Sequence, residues 1–220
     1  MQKERVEFLT DDQVTIAGAW RDAGVSSKKI LLLHMMPATK ESWSAFQDKL
    51  LESGLSSLAI DFRGHGESTK IAGRSLDYKN FTDLEHQAKI RDVRAAVKWL
   101  KVSDNGFAAV GASIGANLAC QWGAEHQDTR AIVALSPGLN YRGVLTMPLV
   151  RALTKSQFLF LAASDDDSES FNAVQKLNET SLAKTKLKLM HNAGHGTEMI
   201  VREPKLMTEL TSWLLAAFKE

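Results

Sequence analysis

The sequence predicts an α/β architecture: an open, mostly parallel central sheet with helices on both faces and an antiparallel N-terminal edge. Three observations predict it. Strand-like and helix-like segments alternate along the whole chain. The middle strands are continuous apolar runs, as strands covered on both faces require. The first two strands are joined by a tight polar turn, which makes them a hairpin.

Taken in order, Val6 to Leu9 and Thr15 to Trp20 are the two hairpin strands, with Asp11-Asp12 in the turn. Ile30 to His34 is the first apolar run. A helix over Ser44 to Ser53 stops at Gly54, and Ser57 to Asp61 is the next strand. A polar loop from Arg63 to about Asn80 precedes a long helix over Leu84 to Lys101, in which Val93, Ala96, Val97 and Leu100 share one face. Phe107 to Gly111 is a strand and Ile114 to Glu125 a helix. Ala131 to Leu135 and Phe158 to Ala162 are buried strands, with a helical and loop stretch over Phe171 to Asn178 following the second. Leu187 to His191 is the last strand. Pro204 suits the first turn of a final helix whose inner face is Met207, Leu210, Leu214 and Ala217.

Composition narrows the function classes. With 220 residues, 44% of them hydrophobic, one domain over residues 1–220 can bury its core without staples. The 27 basic and 26 acidic residues nearly balance, which argues against a nucleic-acid partner or an anionic membrane surface. No apolar run reaches the roughly 18 residues of a membrane span. Cys120 is the only cysteine, so no intrachain disulfide forms. The N-terminal Met1-Gln-Lys-Glu-Arg-Val-Glu has no apolar stretch of signal-peptide type, and the expected location is cytoplasmic. No histidine pair has zinc-binding spacing, so neither metal nor other cofactor is expected.

The chemistry starts at Gly111-Ala-Ser-Ile-Gly115. This G-x-S-x-G lies where a strand turns into a helix, and such a turn presents the serine Oγ above the sheet. The strand and helix backbones approach closely there, so the flanking residues must be small. By chance the pentapeptide would arise in roughly one such chain in fifteen, so its strand–turn–helix context is what gives it weight.

Two further segments precede it in order: Leu31-Leu-Leu-His-Met-Met-Pro37 and Asp61-Phe-Arg-Gly-His-Gly-Glu-Ser68. With the pentapeptide, they make the chain resemble the α/β-hydrolase superfamily over nearly its whole length. The absence of a long insert makes it similar to dienelactone-hydrolase-like or small carboxylesterase-like members. Dienelactone hydrolases proper use a cysteine where Ser113 stands, so their substrate is not carried over.

The resemblance implies a serine hydrolase with Ser113 as nucleophile and His195 as general base. His195 lies in the small-residue loop Asn192-Ala-Gly-His-Gly-Thr-Glu198, between the last strand and the last helix. His34 and His65 resemble structural histidines of the superfamily, whereas His86, His126 and His191 have no supporting context. The acid should follow the strand ending near Ala162, where Asp165, Asp166 and Asp167 stand together. Aligning Ala163 with the glycine of the superfamily's G-x-x-D selects Asp166, with Asp165 as the alternative. The oxyanion hole is expected from the backbone N–H groups of Ile114 and Met36. Met35 and Met147 are expected in the substrate pocket. The segment Ser136 to Gln157 is where caps usually insert, and it suffices only for a short flap.

The expected function is hydrolysis of a small-molecule carboxylic ester through an acyl-enzyme. Thioester or peptide hydrolysis by the same machinery is the alternative. A non-catalytic binding module would be favoured by loss of a triad member, but all three have candidates. Oligomeric state is not legible.

Overall fold

The computed structural model describes residues 2–24, 27–102 and 106–220; Met1, at the head of the N-terminal stretch, lies outside them. Strand β1 (Gln2–Leu9) pairs antiparallel with β2 (Val14–Asp22), as the turn chemistry predicted. Then come β3 (Lys29–Leu33), α1 (Ser44–Glu52) and β4 (Ser56–Ile60). Two short strands, β5 (Lys70–Ile71) and β6 (Arg74–Ser75), lie inside the polar loop. Helices α2 (Asp83–Gln87) and α3 (Ile90–Leu100) lead to β7 (Phe107–Ala112), α4 (Ile114–Glu125) and β8 (Ala131–Leu135). A small hairpin of β9 (Asn140–Tyr141) and β10 (Val144–Leu145) runs into α5 (Thr146–Arg151). The chain closes with β11 (Phe158–Ser164), α6 (Ser168–Thr180), β12 (Lys184–Met190), α7 (Glu198–Arg202) and α8 (Lys205–Ala217).

The large sheet runs β12-β11-β8-β7-β3-β4-β2-β5-β6, with β1 on β2. The six strands from β12 to β4 are mutually parallel, and β2 turns antiparallel at the other side. Period-two alternation divides the apolar runs between the faces. Leu31, Leu33, Ala109 and Ile132 meet α3, α4 and α6 on one face. Ile30, Leu32, Val110 and Val133 meet α1 and α8 on the other. Each fully buried leucine or isoleucine here removes enough apolar surface to contribute about 1.5–3 kcal/mol. Among the described residues, no helix is long and apolar enough to cross a membrane.

Three further elements differ from expectation. The long helix over 84–101 is two helices. Thr82 and Glu85 form a capping box at α2, and the chain tightens at Ala88–Lys89, where Lys89 N–H bonds back three residues to His86 O. That tighter turn carries Lys89 inward, a tertiary demand that periodicity does not register. The last strand begins three residues early because Lys184, Thr185 and Lys186 form a polar edge. Such lysines are the usual protection of an exposed edge strand. An extra short helix, α7, precedes the final one, with Met199 and Ile200 buried.

The D-x-R-G-x-G-x-S turn is structural. Asp61 accepts from Lys40 Nζ and backbone N–H and from Glu67 N–H. A Cβ on Gly66 would lie 2.3 Å from Asp61 Oδ2. Arg63 ties buried Asp92 of α3 to Asp12 of the first turn.

Candidate active site

Parallel strands all deliver their following loops to one edge of the sheet, and the site lies there. After β7 the chain turns through Ser113 at φ 55°, ψ −122°, a conformation an L-residue rarely adopts. The surroundings hold it. Ser113 N–H donates to Leu135 O (2.9 Å), while Ser113 O accepts from Ala116 and Asn117 N–H in the first turn of α4. The flanking glycines are sterically required. A Cβ on Gly111 would lie 2.0 Å from Gly115 O, and one on Gly115 2.3 Å from Leu33 O. Ser113 stays half-exposed while its elbow neighbours are buried.

The loop after β12 brings His195 to the same edge. Its Nδ1 lies 2.6 Å from Asp167 Oδ2. An Nδ1–H donated there leaves Nε2 as the free, basic nitrogen. The loop is pinned on both sides of His195: Ala193 N–H donates to Ser164 Oγ and Gly196 N–H to Ser136 Oγ. A Cβ on Gly196, at φ +58°, would lie 2.7 Å from Met35 Sδ and 3.3 Å from Ala112 Cβ. Elbow, histidine loop and the loop after β3 therefore meet at Gly196, where the Met35 side chain lies.

The acid assignment is corrected. Asp166 does not meet His195; its carboxylate accepts from Gly194 N–H (3.1 and 3.2 Å) and from Arg202 (3.3 Å). Asp165 instead binds His191 Nδ1 (2.6 Å) and Asn192 N–H. The three consecutive aspartates thus grip the histidine loop at three successive places. The reason for the shift is strand length: β11 runs through Ser164, so Ser164 rather than Ala163 begins the turn, and Asp167 is the third residue after it. Asp167 also caps α6 by accepting from Ser170 N–H.

Ile114 is the first residue of α4, so its N–H has no partner within the helix, and among the described residues it donates to no other acceptor. Met36 N–H likewise donates to no protein acceptor among the described residues. The loop carrying it is fixed from below by His34, whose Nδ1 bonds Met35 O (2.7 Å) and whose Nε2 accepts from Phe62 N–H (3.0 Å). Burial pushes the His34 imidazole down to about 4, so it stays neutral and structural. No hydrogen bond joins Ser113 to His195 among the described residues; such bonds are often open without substrate.

Met147 is the second correction. Its sulfur faces Thr180 at the far end of α6, whose 13 residues separate it by about 20 Å from the Asp167 end. It packs against the core instead. Tyr141 of the small hairpin takes the place beside the site. Its ring stands edge-on to His195 (centroids 6.4 Å apart) and its hydroxyl pairs with Ser170 Oγ (3.0 Å). Burial raises the phenol above its ordinary value, with the Ser113 hydroxyl also close enough to affect it. A Cβ on Gly138 would fall 2.6 Å from this ring, so Pro137-Gly138 makes room for it. A lone tyrosine in the shortened cap segment was the available signal. Among the described residues, no group of three His, Cys, Asp or Glu could hold a metal ion.

A family model for the alpha/beta hydrolase fold matches residues 28–195, from β3 to the candidate histidine. The chain belongs to the α/β-hydrolase family. As an α/β-hydrolase it shares its fold with several solved structures. The Pyrococcus furiosus esterase PF2001 superposes with a TM-score of 0.73 at 21% identity, covering 99% of this chain and 91% of that one. A dienelactone hydrolase from Anabaena variabilis gives 0.75 at 17%, covering 98% and 95%. Est1E from Butyrivibrio proteoclasticus, bound to ferulic acid, gives 0.79 at 15%, covering 98% and 100%. No curated protein sequence matches significantly. The matched lengths fit an α/β-hydrolase in which the only insert between β8 and β11 is the hairpin and α5.

Proposed function

We propose that this α/β-hydrolase cleaves small carboxylic esters through an acyl-enzyme on Ser113. One observation carries the reading: a serine held at positive φ at a strand–helix elbow shares its sheet edge with a histidine bonded to a half-buried carboxylate, His195–Asp167. Ser113 Oγ attacks the ester carbonyl as its proton passes to His195 Nε2. Asp167 holds the imidazole in the required tautomer and offsets the charge that forms on it. The oxyanion accepts from the N–H groups of Ile114 and Met36. Collapse expels the alcohol, which takes the proton from His195. Water, activated by the same nitrogen, then attacks the acyl carbonyl and releases the acid. Esterases among the fold neighbours support this reading, and the short insert leaves the site open to small acyl groups.

The test is a fluorophosphonate probe beside a panel of p-nitrophenyl esters, acyl-CoA thioesters and aminoacyl anilides. Labelling at Ser113 and preference for short acyl esters are expected. Ser113→Ala should abolish labelling and lower kcat by about 10⁴–10⁶ with the fold intact. Undiminished labelling of that variant, or preference for thioesters or anilides, overturns the assignment.

A further inference from the structure

Beneath the loop that carries Met36 lies a side chain the reaction above does not use. Lys89, at the N-terminus of α3, is fully buried, which is costly for an amine without a carboxylate partner. Its Nζ instead has three neighbours: His86 Nδ1 at 2.9 Å, His65 Nε2 at 3.3 Å and Met36 Sδ at 3.4 Å. An ammonium has three hydrogens to donate, and here it has three acceptors. The two imidazoles are themselves held. His65 stacks on Tyr78 (centroids 3.7 Å apart), and His86 lies edge-on to Phe81. The Phe62 ring lies 5.7 Å from Nζ. The methionine is the partner with most freedom to lose, on a loop outside the sheet and with three side-chain torsions to fix.

We propose that Lys89 is a positioning residue for the oxyanion loop: held by His65 and His86, its nitrogen grips the Met36 thioether and sets the direction of the Met36 N–H. The proposal rests on the serine-hydrolase reading, because it needs Met36 N–H to receive the oxyanion.

Charge state matters to the grip. Deprotonation leaves two hydrogens for three acceptors, and the thioether, the weakest, is the one released. The groups facing Lys89 are His65 after β4, His86 on α2, His34 after β3, Arg63, Arg142 of the small hairpin, and Asp92 on α3. Burial is the main reason the amine is lowered, to about 7; Asp92 opposes this, while Arg142 and Arg63 add to it. The grip therefore weakens as pH rises past neutrality.

The experiment is steady-state kinetics on a short p-nitrophenyl ester from pH 5 to 9. It compares wild type, Lys89→Met, Met36→Leu and the double variant, each checked for folding by circular dichroism. Both single variants should lose about 10–100-fold in kcat, with KM within about threefold, since only transition-state contact is disturbed. The double variant should be no worse than the poorer single one, because both remove one contact. The fall in wild-type kcat above about pH 7 should be absent from all three variants. A folded Lys89→Met enzyme that keeps wild-type kcat and the alkaline fall overturns the proposal while Ser113 labelling leaves the hydrolase reading standing. If Lys89→Met does not fold, Met36→Leu decides: it conserves volume, and unchanged kcat and pH profile defeat the idea. A wild type that neither hydrolyses esters nor labels at Ser113 removes both readings.

Discussion

Three neighbouring aspartates with one charge and one shape have three different partners: His191, Gly194 with Arg202, and His195. Single substitutions can therefore separate position from composition. Asp167→Asn keeps the shape but loses the negative charge that stabilises the imidazolium, and kcat should fall by up to about 10⁴. Asp166→Asn should keep most activity, since Asp166 is exposed and binds the loop through a backbone N–H that an amide oxygen can still serve. The measurement is kcat for both folded variants on one ester. Severe loss in Asp166→Asn with Asp167→Asn unimpaired would reverse the assignment. The same carboxylate caps α6, but asparagine caps about as well as aspartate, so the loss at Asp167 should be one of kcat with little change in stability.

At the scale of elements, the elbow depends on how closely β7, α4 and β3 pack. A Cβ on Gly115 meets backbone oxygens, Leu33 O at 2.3 Å and His34 O at 2.7 Å, and backbone cannot rotate away. A Cβ on Gly123, two turns along the same helix, meets mainly the ends of side chains, Ile132 Cγ1 at 2.7 Å and Cδ1 at 2.9 Å. Both changes overpack, at about 1–3 kcal/mol, which in a domain of this size lowers Tm by roughly 2–4 °C per kcal/mol. Their effect on chemistry should differ. Gly115→Ala pushes the end of β3 and the loop after it, so kcat should drop at least about tenfold in the folded fraction. Gly123→Ala is relieved by an isoleucine rotamer and should leave kcat near wild type. Calorimetry with kinetics at 25 °C tests the pair, and equal kcat in both variants would show that the elbow tolerates the displacement.

For the molecule as a whole, Lys89 links the site to folding. Its amine is at about 7 when folded, chiefly through burial, against 10.5 when free. Between those values the unfolded chain binds a proton that the folded chain does not, so stability from this group rises with pH across that window and is flat below it. The rise is at most about 1.4 kcal/mol per pH unit. Urea unfolding at pH 7, 8 and 9 should show this component in wild type and its loss in Lys89→Met. An unchanged slope would mean the amine stays charged in the fold. The protonated form that would hold Met36 is thus the form the fold tolerates least, and activity and stability pull in opposite directions above neutrality.

The order of the core strands, the burial of β3, β7, β8 and β11, and the elbow at Ser113 were legible from the chain alone. Each rests on local chemistry: apolar continuity, a turn with two small residues around a serine, glycines beside His195. The sequence also limited the carboxylate partner of His195 to three adjacent residues. It selected Asp166, whereas Asp167 is the one that meets His195, because the choice turns on whether β11 ends at Ala162 or two residues later, and strand ends are set by pairing with β12. Met147 was misplaced for a similar reason: the direction of a short segment between two strands depends on the helix it packs against. Tyr141 beside His195, and Lys89 beneath Met36, join residues far apart in the chain. Neither has a local pattern, and only packing around the sheet edge brings them there.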